Sequence, residues 1–326
     1  MSKIRIEDQP RFASPSRLAI ASIIFASLLL LVGCAAIGTQ LDDVNDPISK
    51  SNPSASAPGV DTNTQSETPA QSASSTPSPT PLPTLTSTPF SRGPIVIGQS
   101  VSGRPLEVFQ FGSGGRKHMI IAGIHGGYEG NTIRLADQLI AILPSRPDLF
   151  PEDVTLYILR ALNPDGEVRS DSYKGRVNEN LVDLNRNWPA QWESDWPKQG
   201  CWTYTYVTGG SHPASEPETR ALMNFLLTYE IEAMISYHSA ALGIFPGGQP
   251  PDAGSISLAE TLAEVSNYPY PPIETGCTYT GQLIDWASMQ GIASVDIELT
   301  NHEDSDLRQN LDVMETLLHW EKPPGY

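Results

Sequence analysis

Apolar and polar positions alternate in two distinct periods from Gly93 onward. Pro94-Ile-Val-Ile-Gly98 and Leu106-Glu-Val-Phe-Gln-Phe111 read as two strands, with the turn Ser102-Gly-Arg-Pro105 joining them into an edge hairpin. His118 to Gly123 is a buried central strand, and Thr132 to Leu143 carries Ile133, Leu135, Ala136, Leu139 and Ile140 at helical spacing. Val154-Thr-Leu-Tyr-Ile-Leu159 is continuously apolar, as in a sheet covered on both faces. Asn163-Pro-Asp-Gly166 is a turn, and an irregular polar segment follows to Pro189. Trp188, Trp192, Trp196 and Trp202 crowd the next loop and are expected to cover a cleft wall. Ser215-Glu-Pro-Glu218 opens a helix to about Tyr229, with Pro217 in its first turn. Ala233 to Tyr237 and Ala293 to Leu299 are strands. Ser257 to Val265, Gly281 to Gln290 and Leu307 to Trp320 are helices. Strands alternating with helices predict an α/β fold, with a mixed, mostly parallel-centred sheet covered by helices on both faces.

Composition limits this domain to residues 93–326. Lys3, Arg5, Arg11 and Arg17 precede an apolar run, Leu18 to Val32, too short to span a bilayer and right for a signal peptide. It ends in Leu31-Val32-Gly33-Cys34, which resembles the lipobox of bacterial lipoproteins. That resemblance implies a signal peptide over 1–33, lipid on the Cys34 sulfur, and secretion to the outer side of the bacterial cell membrane with anchoring there. Residues 34–92 are rich in Ser, Thr and Pro with almost no aromatics, so they are expected to form a disordered tether. The net charge of −17 and the lack of a basic patch exclude nucleic acid as a partner. Cys201 and Cys277 remain in the domain; spacing alone leaves pairing and separate thiols both open.

Chemistry gathers at predicted strand ends. Gly123-Ile-His-Gly-Gly-Tyr-Glu129 follows the central strand and offers an imidazole and a carboxylate. His238 ends a second strand and Glu298 lies near the end of a third. Open α/β sheets build sites at that edge. Two imidazoles and one carboxylate form a recurring catalytic zinc set that leaves a fourth position for water. A carboxylate inside Val295-Asp-Ile-Glu-Leu299 needs a task or a partner, because burying charge is costly.

Taken in order, His125 with Glu129, Asn163-Pro-Asp-Gly166, Arg176, Val182-Asp-Leu-Asn-Arg-Asn-Trp188, Ser215-Glu-Pro-Glu-Thr219, Ser236-Tyr-His238 and Ile297-Glu-Leu299 resemble the zinc carboxypeptidases, from about Ile97 to Trp320. The resemblance implies that His125, Glu129 and His238 hold one Zn2+ per domain, with Asp183 orienting His125. It implies that Glu298 is the base for water and that Arg176 faces the oxyanion. Asn185 and Arg186 would grip the free C-terminal carboxylate of a peptide. Two departures stand out. The family spaces its first ligands as His-x-x-Glu, whereas His125-Gly-Gly-Tyr-Glu129 is one residue longer. The family's mobile tyrosine has no ungapped match: counting back from Ile284-Asp-Trp286 reaches Cys277, and Tyr279 is the substitute. Ile284 would line the pocket for the terminal side chain, and Asp296, on the strand face of Glu298, would favour an amine there.

The chain is therefore expected to be a monomeric metallocarboxypeptidase acting on environmental or cell-wall peptides. Two other readings stay open: a surface peptide-binding lipoprotein without catalysis, and a zinc acylamino-acid deacylase sharing the metal triad.

Overall fold

In a computed structural model of the protein, residues 89–169, 172–195, 207–240 and 242–325 are described. The expected signal, Cys34 and nearly all of the expected tether lie outside these residues, as do Trp196, Cys201 and Trp202. No helix among the described residues is long and apolar enough to cross a membrane.

Among the described residues seven strands follow one another: β1 (Ser91–Gln99), β2 (Pro105–Gly112), β3 (Arg116–Ile121), β4 (Val154–Leu159), β5 (Ala233–Ser239), β6 (Ile244–Pro246) and β7 (Ala293–Leu299). The same residues form six α-helices: α1 (Gly130–Ile142), the single turn α2 (Pro164–Glu167), α3 (Pro217–Thr228), α4 (Ala253–Ala263), α5 (Leu283–Met289) and α6 (Leu307–His319). The strands form one sheet in the order β1-β2-β4-β3-β5-β7-β6. The inner neighbours β4/β3, β3/β5 and β5/β7 run parallel. The outer neighbours β1/β2, β2/β4 and β6/β7 run antiparallel. This is the mixed, parallel-centred sheet that the alternation of patterns predicts.

Helices cover both faces because successive side chains of a strand point to opposite sides. Ile120 on β3 joins a core with Leu135 and Leu139 of α1, Leu258 of α4 and Val313 of α6. Its neighbours Met119 and Ile121 join a second core with Leu222 and Phe225 of α3 and Leu283 of α5. Every residue of β4 and β5 is buried, which is why β4 reads as a continuous apolar run.

Two local readings are corrected, and one strand is added. β1 begins at Ser91, where Ser91 and Arg92 pair with Phe111 and Gln110, so ordered strand reaches two residues into the stretch assigned to the tether. β5 continues through His238 to Ser239. The three-residue β6 has no signature in the pattern; it is too short to show a period, and only its pairing with β7 defines it.

Candidate metal centre and substrate cavity

β3, β5 and β7 lie side by side and parallel, so their carboxyl ends open onto one edge of the sheet. His238 on β5 sits directly across from Glu298 on β7. After β3 the chain makes a single 3-10 turn over Gly126–Glu129, which carries Glu129 back toward His125. Gly126 makes that turn with φ of +47°, and a Cβ there would stand 2.6 Å from the Gly175 carbonyl oxygen. Only glycine tolerates both conditions. The longer His-x-x-x-Glu spacing is thus absorbed by one tight turn.

The result is a compact donor set. The candidate ligand atoms of His125, Glu129 and His238 all lie within 4.8 Å of one another, and all three residues are buried. Glu129 Oε1 lies 2.8 Å from His125 Nδ1, Glu129 Oε2 lies 3.2 Å from His238 Nδ1, and the two Nδ1 atoms are 3.3 Å apart. Contacts this close bring the two imidazoles and the acid near enough to share one cation. The charges around them agree. Burial alone pulls His238 down, but Asp296 and Glu129 outweigh it and hold the imidazole well above its ordinary value. Burial pushes Glu129 up, and His125 and His238 more than reverse this. Nitrogen and carboxylate donors in this number suit zinc, so the residues present fit that ion.

The far nitrogens of the imidazoles are also occupied. His125 Nε2 lies 3.2 Å from Asp183 Oδ1, so Asp183 fixes the ring and its tautomer. Asp183 is fully buried; burial pushes it up, while Arg176 and His125 together hold it well below the usual carboxylate range. Arg176 Nε donates to Asp183 Oδ2 at 2.9 Å, and its Nη1 lies 3.5 Å from Glu129 Oε1. His238 Nε2 lies 3.2 Å from Ser236 Oγ, 3.4 Å from Asn185 Nδ2 and 3.4 Å from Asp296 Oδ1.

The irregular segment from Asn163 to Pro189 is held by buried polar side chains in place of regular structure. The Asn163 side chain accepts from Gly166 N at 2.8 Å and donates to the Arg176 carbonyl at 3.1 Å. Asp165 accepts from Ser100 Oγ and Ser102 N, tying this loop to the β1–β2 turn. Glu216 and Glu218, at the start of α3, both accept from Asn178 Nδ2. These contacts give the Asn-Pro-Asp-Gly and Ser-Glu-Pro-Glu runs a physical role: they hold the loop that presents Arg176, Asn185 and Arg186. Trp188 is buried against Trp286, ring centroids 5.2 Å apart, beneath the same loop.

A cavity of about 500 Å³ opens beside the donor set. Arg176, Asn185, Arg186, Tyr279, Ile284, Asp296 and Glu298 all line it, as do the three candidate ligands. Asn185 is oriented by Leu283 N, which donates to its Oδ1 at 2.9 Å. Arg186 Nη1 donates to the Asn185 carbonyl at 2.6 Å, and the guanidinium stands over the Tyr279 ring, 5.2 Å from its centroid. Tyr279 donates its hydroxyl to Thr275 Oγ1 at 3.0 Å. Glu298 is half-buried at the cavity wall and its Oε2 has no hydrogen-bond partner among the described residues. Removal from water, then the Glu129 carboxylate, push Glu298 upward.

Several contributors escaped the sequence reading. Ser239 N donates to Glu129 Oε2 at 3.3 Å, one residue beyond His238 and hidden at the strand end. Asp285 lines the cavity, accepting from Gly248 N and Gln249 Nε2, and burial pushes it up to about 6. An acid inside the apolar run Leu283–Trp286 was its signal. Cys277, on the cavity wall before Tyr279, is disulfide-bonded, and both other cysteines lie outside the described residues.

With this geometry in hand, comparison with known proteins is informative. The profile of the family described as "Zinc carboxypeptidase" matches residues 86–312. Carboxypeptidase A4 of Mus musculus is 27% identical over 231 residues, covering 61% of this chain and 54% of that protein. Murein peptide amidase A of Escherichia coli (strain K12) is 27% identical over 243 residues, covering 71% of this chain and 91% of the amidase. The chain thus spans about half the length of the mouse carboxypeptidase and most of the amidase. Among solved structures, the murein-tripeptide amidase of Escherichia coli O157 superposes with a TM-score of 0.53 at 24% identity, over 72% of this chain and 94% of that one. Bovine thrombin-activatable fibrinolysis inhibitor, in complex with tick carboxypeptidase inhibitor, gives 0.57 at 22% identity, over 69% of this chain and 88% of that one. These two structures share the fold.

Proposed function

The chain belongs to the zinc carboxypeptidase family, and from that membership we propose that it is a zinc-dependent exopeptidase removing the C-terminal residue of peptides. The observation that carries this reading is the juxtaposition at one cavity of three parts. These are the His125–Glu129–His238 donor set, the Glu298 carboxylate with an unpartnered oxygen, and the buried Asn185–Arg186 pair.

His125, Glu129 and His238 hold the metal, with Asp183 orienting His125. Zinc there supplies Lewis-acid polarisation of the substrate carbonyl and of a water molecule. Arg186 and Asn185 take the terminal carboxylate; a guanidinium matches a carboxylate with parallel N–H donors. That anchoring places the last peptide bond at the donor set and selects the chain end over internal bonds. Glu298 removes a proton from the attacking water and returns it to the leaving amine, a task for a carboxyl whose surroundings raise its affinity for a proton. Arg176 donates to the oxyanion that develops at the carbonyl, and its ion pair with Asp183 sets its orientation beforehand.

The substrate class is a cell-wall peptide. Support comes from the relative named murein peptide amidase A, most of whose length this chain matches. The lipobox-like Leu31-Val-Gly-Cys34 supports the same reading, since lipid on Cys34 would anchor the domain outside a bacterial membrane, where such peptides are found.

Product analysis on a set of defined peptides tests the reading, with Glu298→Gln as control. Loss of single C-terminal residues is expected, and it should disappear in the variant. Internal cleavage, or variant turnover near that of the wild type, contradicts it.

A further inference from the structure

Asn131 is a buried amide that the metal centre described so far does not use, and it stands where three elements of that centre meet. It is 1% exposed in the first turn of α1, just after Glu129. Its Nδ2 donates to the carbonyl oxygens of Asn301 at 2.6 Å and Asp304 at 2.9 Å, in the loop that leaves β7 beyond Glu298. Two carbonyls fix which end of the amide carries the nitrogen, so Oδ1 faces Ser239. Ser239 Oγ donates to that Oδ1 at 3.0 Å. With its one proton committed, the hydroxyl accepts from His302 Nδ1, also at 3.0 Å. Ser239 ends β5 next to His238, and its backbone N is the donor at 3.3 Å to Glu129 Oε2.

Each link of this chain of bonds has a rigid anchor. The loop after β7 is braced within itself: Asn301 Oδ1 accepts from Glu303 N and Asp304 N, both at 2.6 Å, and Asp306 Oδ2 accepts from Thr300 N and Thr300 Oγ1, both at 2.7 Å. Farther along α1, Arg134 donates to the Glu303 carbonyl and Ser305 Oγ donates to Gln138 Oε1 at 2.6 Å. On the inner side, Thr132 Oγ1 donates to the Glu129 carbonyl at 2.7 Å and accepts from Gly123 N at 3.1 Å. The consecutive residues Asn131 and Thr132 therefore fasten the start of α1 to the ends of β3 and β5 and to the loop after β7. Those are the elements that carry His125, His238 and Glu298. Removing one partner of a buried polar network strands the others away from water, so its links hold or fail together. Ligands of a metal ion depend on such outer contacts for their placement.

We propose that Asn131, acting through Ser239, is a positioning residue for the metal centre. It clasps the loop after β7 and the end of β5 to the start of α1, and so fixes the Glu129 carboxylate against His238. The proposal rests on the reading of His125, Glu129 and His238 as the ligands of zinc, and it concerns the placement of those ligands, not the choice of substrate.

The test uses the full-length chain, stripped of metal and titrated with zinc against a competing chelator. Asn131→Leu keeps roughly the same volume, adds no charge and loses every hydrogen bond of the amide; it is expected to weaken zinc binding by about tenfold or more. Ser239→Ala loses a single hydroxyl and is expected to act in the same direction by a similar factor; it carries the test where Asn131→Leu does not fold. Both cut one chain of bonds, so the double variant should bind within about twofold of the weaker single variant. Arg134→Ala releases the same loop from an exposed position on α1 and should leave zinc affinity within about twofold of wild type. Cobalt(II) in place of zinc gives a second readout, because its visible absorption follows the geometry of its ligands. The spectrum should change in Ser239→Ala and stay as wild type in Arg134→Ala. Zinc affinity of Ser239→Ala and Asn131→Leu equal to wild type overturns the proposal. So does an equal loss in Arg134→Ala, or a loss in the double variant that is the product of the two single losses. Wild-type protein that binds no zinc defeats the metal reading and this proposal together. Release of terminal residues is assayed separately on the wild type, so a failed exopeptidase reading is told apart from a failed clasp.

Discussion

His118 and His238 are both buried, near opposite ends of the neighbouring parallel strands β3 and β5, and their surroundings drive them in opposite directions. His118 packs near the start of β3, where loss of water and the nearby Arg116 push it down to about 4. Its Nδ1 finds no partner among the described residues. His238 meets Glu129 and Asp296, which hold it well above its ordinary value despite the same loss of water. Burial alone therefore makes a neutral, structural imidazole. Burial beside carboxylates makes a position that calls for positive charge, and a metal ion satisfies it as a proton does. The amino ends of these strands supply stability, and the carboxyl ends concentrate groups that are costly without a ligand.

Substitutions can break this contrast at either end. The largest effect is expected at Glu298. Glu298→Gln should lower kcat by about 10²–10⁴-fold, the usual range for a lost general base. Zinc content should stay at the wild-type level, which separates proton transfer from metal binding.

Next in size is His118, tested through the pH dependence of stability. Its folded-state value lies below the unfolded one, so the unfolded chain takes up the proton first. The stability is full above pH 6.5 and is lost as pH falls from there through about 4. A difference of that size corresponds to roughly 3 kcal/mol. His118→Gln should remove this part of the acid sensitivity, as read from urea midpoints between pH 7 and 4. An unchanged pH slope would place the acid sensitivity elsewhere.

Asp183→Asn is expected to weaken zinc binding by about 10–100-fold, measured by competition with a chelator, because it frees His125 from its orienting carboxylate. Affinity within twofold of wild type would show that the loop alone holds the ring. The smallest effect is expected far from both histidines. The Arg146–Asp148 pair is exposed, and Arg146→Ala should leave the urea midpoint unchanged.

Much of this contrast was legible in the sequence, for reasons tied to particular residues. β7 spans the residues Ala293 to Leu299 that the pattern predicts, because its face alternation and flanking breaks are both strong. β4 and α3 follow their apolar periods closely. His125, Glu129 and His238 converge as the motif order predicts. Other features depend on contacts that no local pattern encodes. Whether Glu129 could reach His125 across an extra residue turned on the backbone of Gly126 against Gly175. The saturated state of Asp285 depends on Gly248 and Gln249, some 36 residues away along the chain. His118 reads in sequence like any histidine near the start of a strand; its low value depends on burial and on Arg116, which outweigh the Leu317 backbone of α6.

The central claim is that two imidazoles and one carboxylate share a single zinc ion. Metal analysis of the purified protein, alongside Glu129→Gln and His238→Ala, tests it most directly. The account predicts one zinc per chain in the wild type and its loss from both variants. Wild-type protein without stoichiometric zinc, or either variant retaining it in full, would contradict the account.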